Sequence, residues 1–358
     1  MHLACKHGSE EVAELLINKI EISKLIDLIT SESSDISIFP LHLVCKLKDE
    51  KIFIINHFLN RIKAERIDQL ENVIKKTDEK KQTILHLAIE NHQLKIVELL
   101  LRDFNASKNL KEGVNGNMPI HLAAKLGSIE VFNLLQKYDA VSFETNNSSE
   151  NALHIAAYYN RNKFIAEFLK YEMFLMNENS ETDKNIDENY DNCACKCGLD
   201  AKSHIPSVRV RDNKLNTPLL VALACSNQKC VEELIDNIYI ELDATDCNGN
   251  TMYHVCTENE NFESLNYLIE KFNPNNEFKV YNIKNSTEET ILHSSCRKGN
   301  LEITNLIMNK LHETNTVFDE LLFSKNKDGQ TCFHVAANKG YFNVVEYFIK
   351  VFFSFLFI

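Results

Sequence analysis

One short phrase recurs along the chain and constrains its fold more than any other feature. It reads Thr83-Ile84-Leu85-His86-Leu87-Ala88, then Met118-Pro119-Ile120-His121-Leu122-Ala123-Ala124, and later Thr331-Cys332-Phe333-His334-Val335-Ala336-Ala337. Weaker copies centre on His42, His154, His254 and His293. A further copy, Thr217-Pro218-Leu219-Leu220-Val221-Ala222, carries Leu where the others carry His, and a first copy starts part-way in, at His2-Leu3-Ala4. A phrase repeated at near-regular intervals means one supersecondary unit repeated, each copy burying its apolar face against its neighbours.

Each phrase has a matching second half. After His121 come Lys125-Leu126-Gly127 and then Ile129, Val131, Phe132, Leu134 and Leu135; after His334 come Asn338-Lys339-Gly340 and then Phe342, Val344, Val345, Tyr347 and Phe348. Apolar residues at three- and four-residue steps predict two short amphipathic helices with a tight turn between them. Gly8, Gly127, Gly299 and Gly340 fall in that turn, where a left-handed backbone favours glycine, and the Thr at the head of the phrase suits an N-cap.

The phrase resembles the ankyrin repeat, whose consensus is Thr-Pro-Leu-His-x-Ala at a period near 33 residues. The resemblance covers most of the chain and implies an all-α fold, an ankyrin-repeat solenoid of paired antiparallel helices with hairpin-like loops. Steps between successive marker positions are 40, 44, 35, 33, 66, 34, 39 and 41 residues, so the surplus belongs in loops. Ile62 to Ile74, Glu21 to Ile29 and Val317 to Phe323 read as short extra helices within such loops. The expected organisation is five repeats over 1–170, the first of them truncated, an acidic, cysteine-containing disordered insertion over 171–212, four repeats over 213–351, and an apolar tail over 352–358. A start within the motif and an end in Val351-Phe352-Phe353-Ser354-Phe355-Leu356-Phe357-Ile358 suggest a piece of a longer protein or an imperfect gene model, prone to aggregate in isolation.

Composition narrows the partners. A net charge of −12 argues against nucleic acid or an anionic membrane as ligand for the whole chain. The eleven cysteines are odd in number, and Cys5, Cys45, Cys256 and Cys296 recur within the motif just after the histidine position, which reads as small buried apolar residues in a reducing, cytoplasmic setting. The C-terminal apolar run is far shorter than the ~20 residues of a membrane span.

Two constellations invite chemistry. The motif histidines His42, His86, His121, His154, His254, His293 and His334 are spaced one repeat apart, roughly 10 Å in this architecture, too far to share a metal ion. They read as structural groups bonding the backbone, the role that the resemblance also implies. Cys193, Cys195 and Cys197 with His204 supply three thiols and an imidazole, but alternate cysteines strain a tetrahedral site; a metal site, a redox-sensitive cluster and an ordinary loop all remain open. No nucleophile elbow, phosphate-binding loop or zinc-protease motif is present, and the expectation is a non-enzyme with no cofactor and no small-molecule substrate.

The resemblance implies contacts on the finger-like turns and on the two residues before the mid-repeat turn, the palm of a cupped hand. Those positions include Lys125, Tyr158, Tyr159, Arg297, Lys298, Asn338 and Lys339. The tyrosine pair is the candidate anchor, unless one ring packs under the inserted loop. Arg297-Lys298 could steer an acidic peptide, or simply be solvated. The functional expectation is a cytoplasmic scaffold or adaptor that binds other proteins. The alternative is the cytoplasmic N-terminal part of a TRP-type cation channel or other larger signalling protein, on the similarity of long fingers such as 321–331, and only then would a membrane be involved.

Overall fold

The structure, a computed structural model, describes residues 1–31, 39–47, 51–113, 115–139, 143–180, 206–273, 278–312 and 318–356. It divides into two compact units, Met1–His204 and Ile205–Ile358. Among the described residues both are all-helical.

The first unit holds α1 (His2–His7), α2 (Glu10–Lys19), α3 (Ile22–Thr30), α4 (Pro40–Val44), α5 (Ile52–Glu65), α6 (Ile67–Lys75), α7 (Ile84–Glu90), α8 (Leu94–Arg102), α9 (Pro119–Leu126), α10 (Ile129–Lys137), α11 (Ala152–Tyr158) and α12 (Asn162–Ser180). Inner helices α1, α4, α7, α9 and α11 pack side by side in that order, and outer helices α2, α5, α8, α10 and α12 do the same. The extra helices α3 and α6 lie against α5 and each other. The second unit holds a 3-10 turn (Ser207–Arg209) and α13 (Pro218–Ala224), α14 (Gln228–Ile235), α15 (Met252–Glu258), α16 (Phe262–Phe272), α17 (Phe278–Tyr281), α18 (Ile291–Lys298), α19 (Leu301–His312), α20 (Phe318–Leu322), α21 (Cys332–Lys339) and α22 (Phe342–Leu356). Here α13, α15, α18 and α21 form the inner row, and α14, α16, α19 and α22 the outer.

Local chemistry explains the units. Inner helices carry Ala and other compact residues on buried faces: Ala88, Ala123, Ala124, Ala156 and Ala157 are fully buried, which lets neighbouring helices approach closely. The cysteines at these two motif positions, Cys5, Cys45, Cys256 and Cys296, are buried as well. Outer helices contribute the bulk, as in Ile96, Val97 and Leu100 of α8. The mid-repeat turn is left-handed at Gly8, Gly127, Gly299 and Gly340, but the same conformation is taken without glycine by His92, Asn160, Ser226 and Glu260.

The expected insertion starts too early at 171. Helix α12 runs on to Ser180 because its continuation has a face to bury. Phe132, Phe143, Phe164, Phe168 and Tyr171 form one aromatic cluster, with Tyr171 edge-on to Phe132 at 5.8 Å and stacked on Phe143 at 6.5 Å, and Met176 is buried one turn further. At the far end of the expected insertion, Ser207 and Val208 are buried in the 3-10 turn, which packs on α13. Residues 181–205, including the cysteine run, lie outside the described residues. The expected tail at 352–358 begins as the last turns of α22. The three extra helices read from sequence are present as α3, α6 and α20, although α5 already extends to Glu65 before α6 begins, and α17 went unread.

Candidate functional site

The motif histidines are built into the backbone. Thr83 caps α7 by accepting the His86 backbone N–H, and the His86 ring answers by accepting the Thr83 backbone N–H at 3.2 Å through Nδ1. This is a capping box in which an imidazole takes the place of the usual carboxylate. The same reciprocal arrangement holds at Asn151–His154, Thr290–His293 and Thr331–His334. Where a backbone N–H holds Nδ1 as an acceptor, as at His86, His121 and His293, Nε2 carries the proton and donates across to the next finger or repeat. Nε2 of His42 faces the Gln82 carbonyl at 3.1 Å, His121 faces Glu150 at 3.1 Å, His254 faces Glu289 at 3.0 Å and His293 faces Gln330 at 3.2 Å. Each acceptor is the residue just before the next motif's cap. His86 reaches Leu110 instead, at 3.0 Å, where the following finger closes from Glu112 to Asn117 rather than over the shorter Asp78-to-Gln82 span.

These roles leave the rings neutral. Burial pushes His42, His86 and His121 down to about 4, and lowers His254 and His293. At His86, His121 and His293 a second proton would have to sit on Nδ1, against a backbone N–H. Leu220 occupies the same buried position with no ring nitrogen, so no such bridge forms there. The histidines therefore hold repeats together, and no cluster able to hold a metal ion occurs among the described residues. Cys193, Cys195, Cys197 and His204 lie outside them.

The fingers share a second device, missed in the sequence although periodic within it. Eight residues before six of the markers, those at His86, His154, Leu220, His254, His293 and His334, stands Asp or Asn: Asp78, Asn146, Asp212, Asp246, Asn285 and Asn326. Its Oδ1 accepts the backbone N–H two and four residues on, as Asp246 does from Asn248 and Asn250, both at 2.8 Å. Adjacent fingers then join by single backbone bonds, Asn147 to Asn115, Cys247 to Lys214, Ser286 to Asn248 and Lys327 to Thr287.

With helices and fingers fixed, the palm positions fall at the C-terminal ends of the inner helices. Tyr158 and Tyr159 are 60% and 40% exposed, set edge-to-face at 5.1 Å. Lys125, from the preceding repeat, is exposed and places its Nζ 5.9 Å from the Tyr159 ring centre, within cation–π range. Arg161, also exposed, donates from Nε to the Lys125 carbonyl at 3.0 Å. Gly127 makes room for it, since a Cβ there would lie 2.6 Å from Arg161 Cδ. Arg161 escaped the sequence reading because it follows the turn rather than preceding it.

Arg297 and Lys298 differ. Arg297 donates to Glu258 and, at 3.2 Å, to Glu289, and Lys298 approaches Glu258 at 3.8 Å. They form a neutralised cluster in place of the free basic pair that the sequence suggests. Asn338 and Lys339 sit in the exposed last turn of α21. A separate cavity of about 750 Å³ opens in the first unit between Ile67, Leu70 and Ile74 of α6 and the Phe104–Asn109 loop.

Such stacked helix pairs, with bridged histidines and jointed fingers, define a helical-repeat protein. A family model described as ankyrin repeats, three copies to a model, matches residues 1–112, 102–183, 188–279 and 277–352, and the chain belongs to the ankyrin-repeat family. The match speaks to the repeat and to no subfamily within it. No curated protein matches the chain. Ankyrin repeats are generally protein–protein interaction modules and generally non-enzymatic. Among the described residues no helix is long and apolar enough to cross a membrane.

Proposed function

We propose that this chain is a cytoplasmic scaffold or adaptor that holds a partner protein on the palm of its first unit, anchored at Tyr158 and Tyr159 beside Lys125. The observation that carries the reading is the exposure of two adjacent aromatic rings at the end of α11, where most large apolar groups of the unit are buried. Tyrosines in such settings bring contact area at low entropic cost and are enriched among binding hot spots. The burial of Cys5, Cys45, Cys256 and Cys296 as plain core residues supports the cytoplasmic setting. The paired state of Arg297 and Lys298 makes that part of the second unit's palm a weaker anchor, because these two cations already have carboxylates.

Affinity capture with the full chain and with the Tyr158→Ala/Tyr159→Ala double variant, quantified by mass spectrometry, tests the proposal. A set of proteins retained by the first and lost by the second is expected. Identical capture by a folded double variant would sink it.

A further inference from the structure

We infer that the partner segment seated on the Tyr158–Tyr159 platform is an acidic peptide. This rests on the palm reading above and specifies its chemistry. Equivalent palm positions in the two units have opposite electrostatic fates. In the second unit, Arg297 stands four residues after its motif histidine, and its charge is taken up by Glu258 of the preceding repeat and Glu289 of its own finger. In the first unit, Lys125 stands at the same motif position, and Glu90 is the counterpart of Glu258. Glu90 does not pair with Lys125; it accepts from the Gln82 side chain at 2.9 Å, which also reaches Glu112.

Lys125 is thereby left over the Tyr159 ring, with no carboxylate partner among the described residues. Arg161 is in the same position. Its Nε is used by the Lys125 carbonyl, which fixes the guanidinium plane beside the platform, while no carboxylate engages its Nη groups among the described residues. Two uncompensated cations beside two exposed aromatic rings form a basic, stackable patch on a chain of net charge −12. A carboxylate can bridge the Arg161 fork and Lys125, while an apolar or proline side chain next to it lies on Tyr158. The overall negative charge of the chain repels acidic segments elsewhere and so confines them to this patch.

A phage-displayed library of random peptides of about a dozen residues, panned against the full chain, tests the inference. Recovered peptides should be enriched in Asp and Glu, and their affinity should fall about tenfold or more in Lys125→Glu and in Arg161→Glu, the equivalent of ~1.4 kcal/mol, but not in the remote Lys24→Glu. Binding of the same peptides should weaken as salt rises. Peptides that need Tyr158 and Tyr159 but are not acidic, or that ignore both charge reversals, would overturn this inference while leaving the palm reading standing. Peptides indifferent to Tyr158→Ala/Tyr159→Ala would overturn both. Arg161→Lys separates charge from geometry: it should retain folding and lose part of the affinity, because a single ammonium cannot present the two-pronged fork.

Discussion

Nε2 of His121 stands 3.1 Å from the carbonyl oxygen of Glu150 in the next repeat, while Nδ1 of the same ring takes the Met118 backbone N–H at 3.2 Å. One neutral ring thus closes its own helix cap and ties two repeats together. His334 has the motif and the cap but an exposed ring with no inter-repeat acceptor among the described residues. His121→Ala should therefore cost about 2–3 kcal/mol, since it strands the buried Met118 N–H and cuts the inter-repeat bond to the part-buried Glu150 carbonyl, which keeps the Asn146 N–H. His334→Ala should cost about 1 kcal/mol, the worth of a cap. Urea unfolding of the two variants checks the ordering; equal losses would contradict it.

The same bridges set an acid limit. His42, His86 and His121 titrate near 4 when folded because burial penalises the charged ring, against 6.5 when unfolded. The unfolded chain binds protons first as pH falls. Their contribution is thus complete above pH 6.5, shrinks between 6.5 and about 4, and is gone below that, with each ring contributing on the order of 3 kcal/mol. Melting temperature measured from pH 7.5 to 4 should drop most steeply below 6.5, and His121→Leu should flatten that slope.

Backbone conformation makes a separate prediction at two turns. Leu215 holds φ +61 at a fingertip where Gly249 and Gly329 serve other fingers, and its side chain is half exposed. Leu215→Gly should relieve left-handed strain and gain up to about 1 kcal/mol. Gly127→Ala goes the other way, because φ is +70 there and the new Cβ meets Arg161. Thermal denaturation reads both, and a destabilised Leu215→Gly would show that the leucine side chain contributes more than its conformation costs.

Thiol reactivity follows burial. Burial raises the Cys5, Cys45 and Cys230 thiols to about 12, and also raises Cys256 and Cys296 well above the ordinary thiol range. Cys247 is exposed on a fingertip. Brief treatment with maleimide at pH 7 followed by peptide mapping should label Cys247 and spare those five until denaturant is added. Early labelling of Cys256 would mean that the inner row opens locally.

The fold was legible because its determinants are local and repeated. A cap residue, a histidine three positions on, small residues on the inner face and a bulky outer face recur often enough to fix the helix pairs without any knowledge of long-range contacts. The Asp or Asn eight residues before six of the markers is equally periodic, and its role shows only when its side chain is seen to accept the backbone N–H groups two and four residues on. The end of α12 was not legible, since what carries it past Tyr171 is an aromatic cluster assembled from two outer helices and Phe143, and no periodicity within 171–180 announces it. The palm shows the division most clearly. Sequence placed Lys125, Tyr158, Tyr159, Arg297 and Lys298 on one kind of surface, as motif position alone requires. Only the tertiary structure decided that Arg297 spends its charge on Glu258 and Glu289 while Glu90 turns to Gln82 and leaves Lys125 to the tyrosines. Pairing of charges depends on distances between neighbouring repeats that a one-dimensional pattern does not carry.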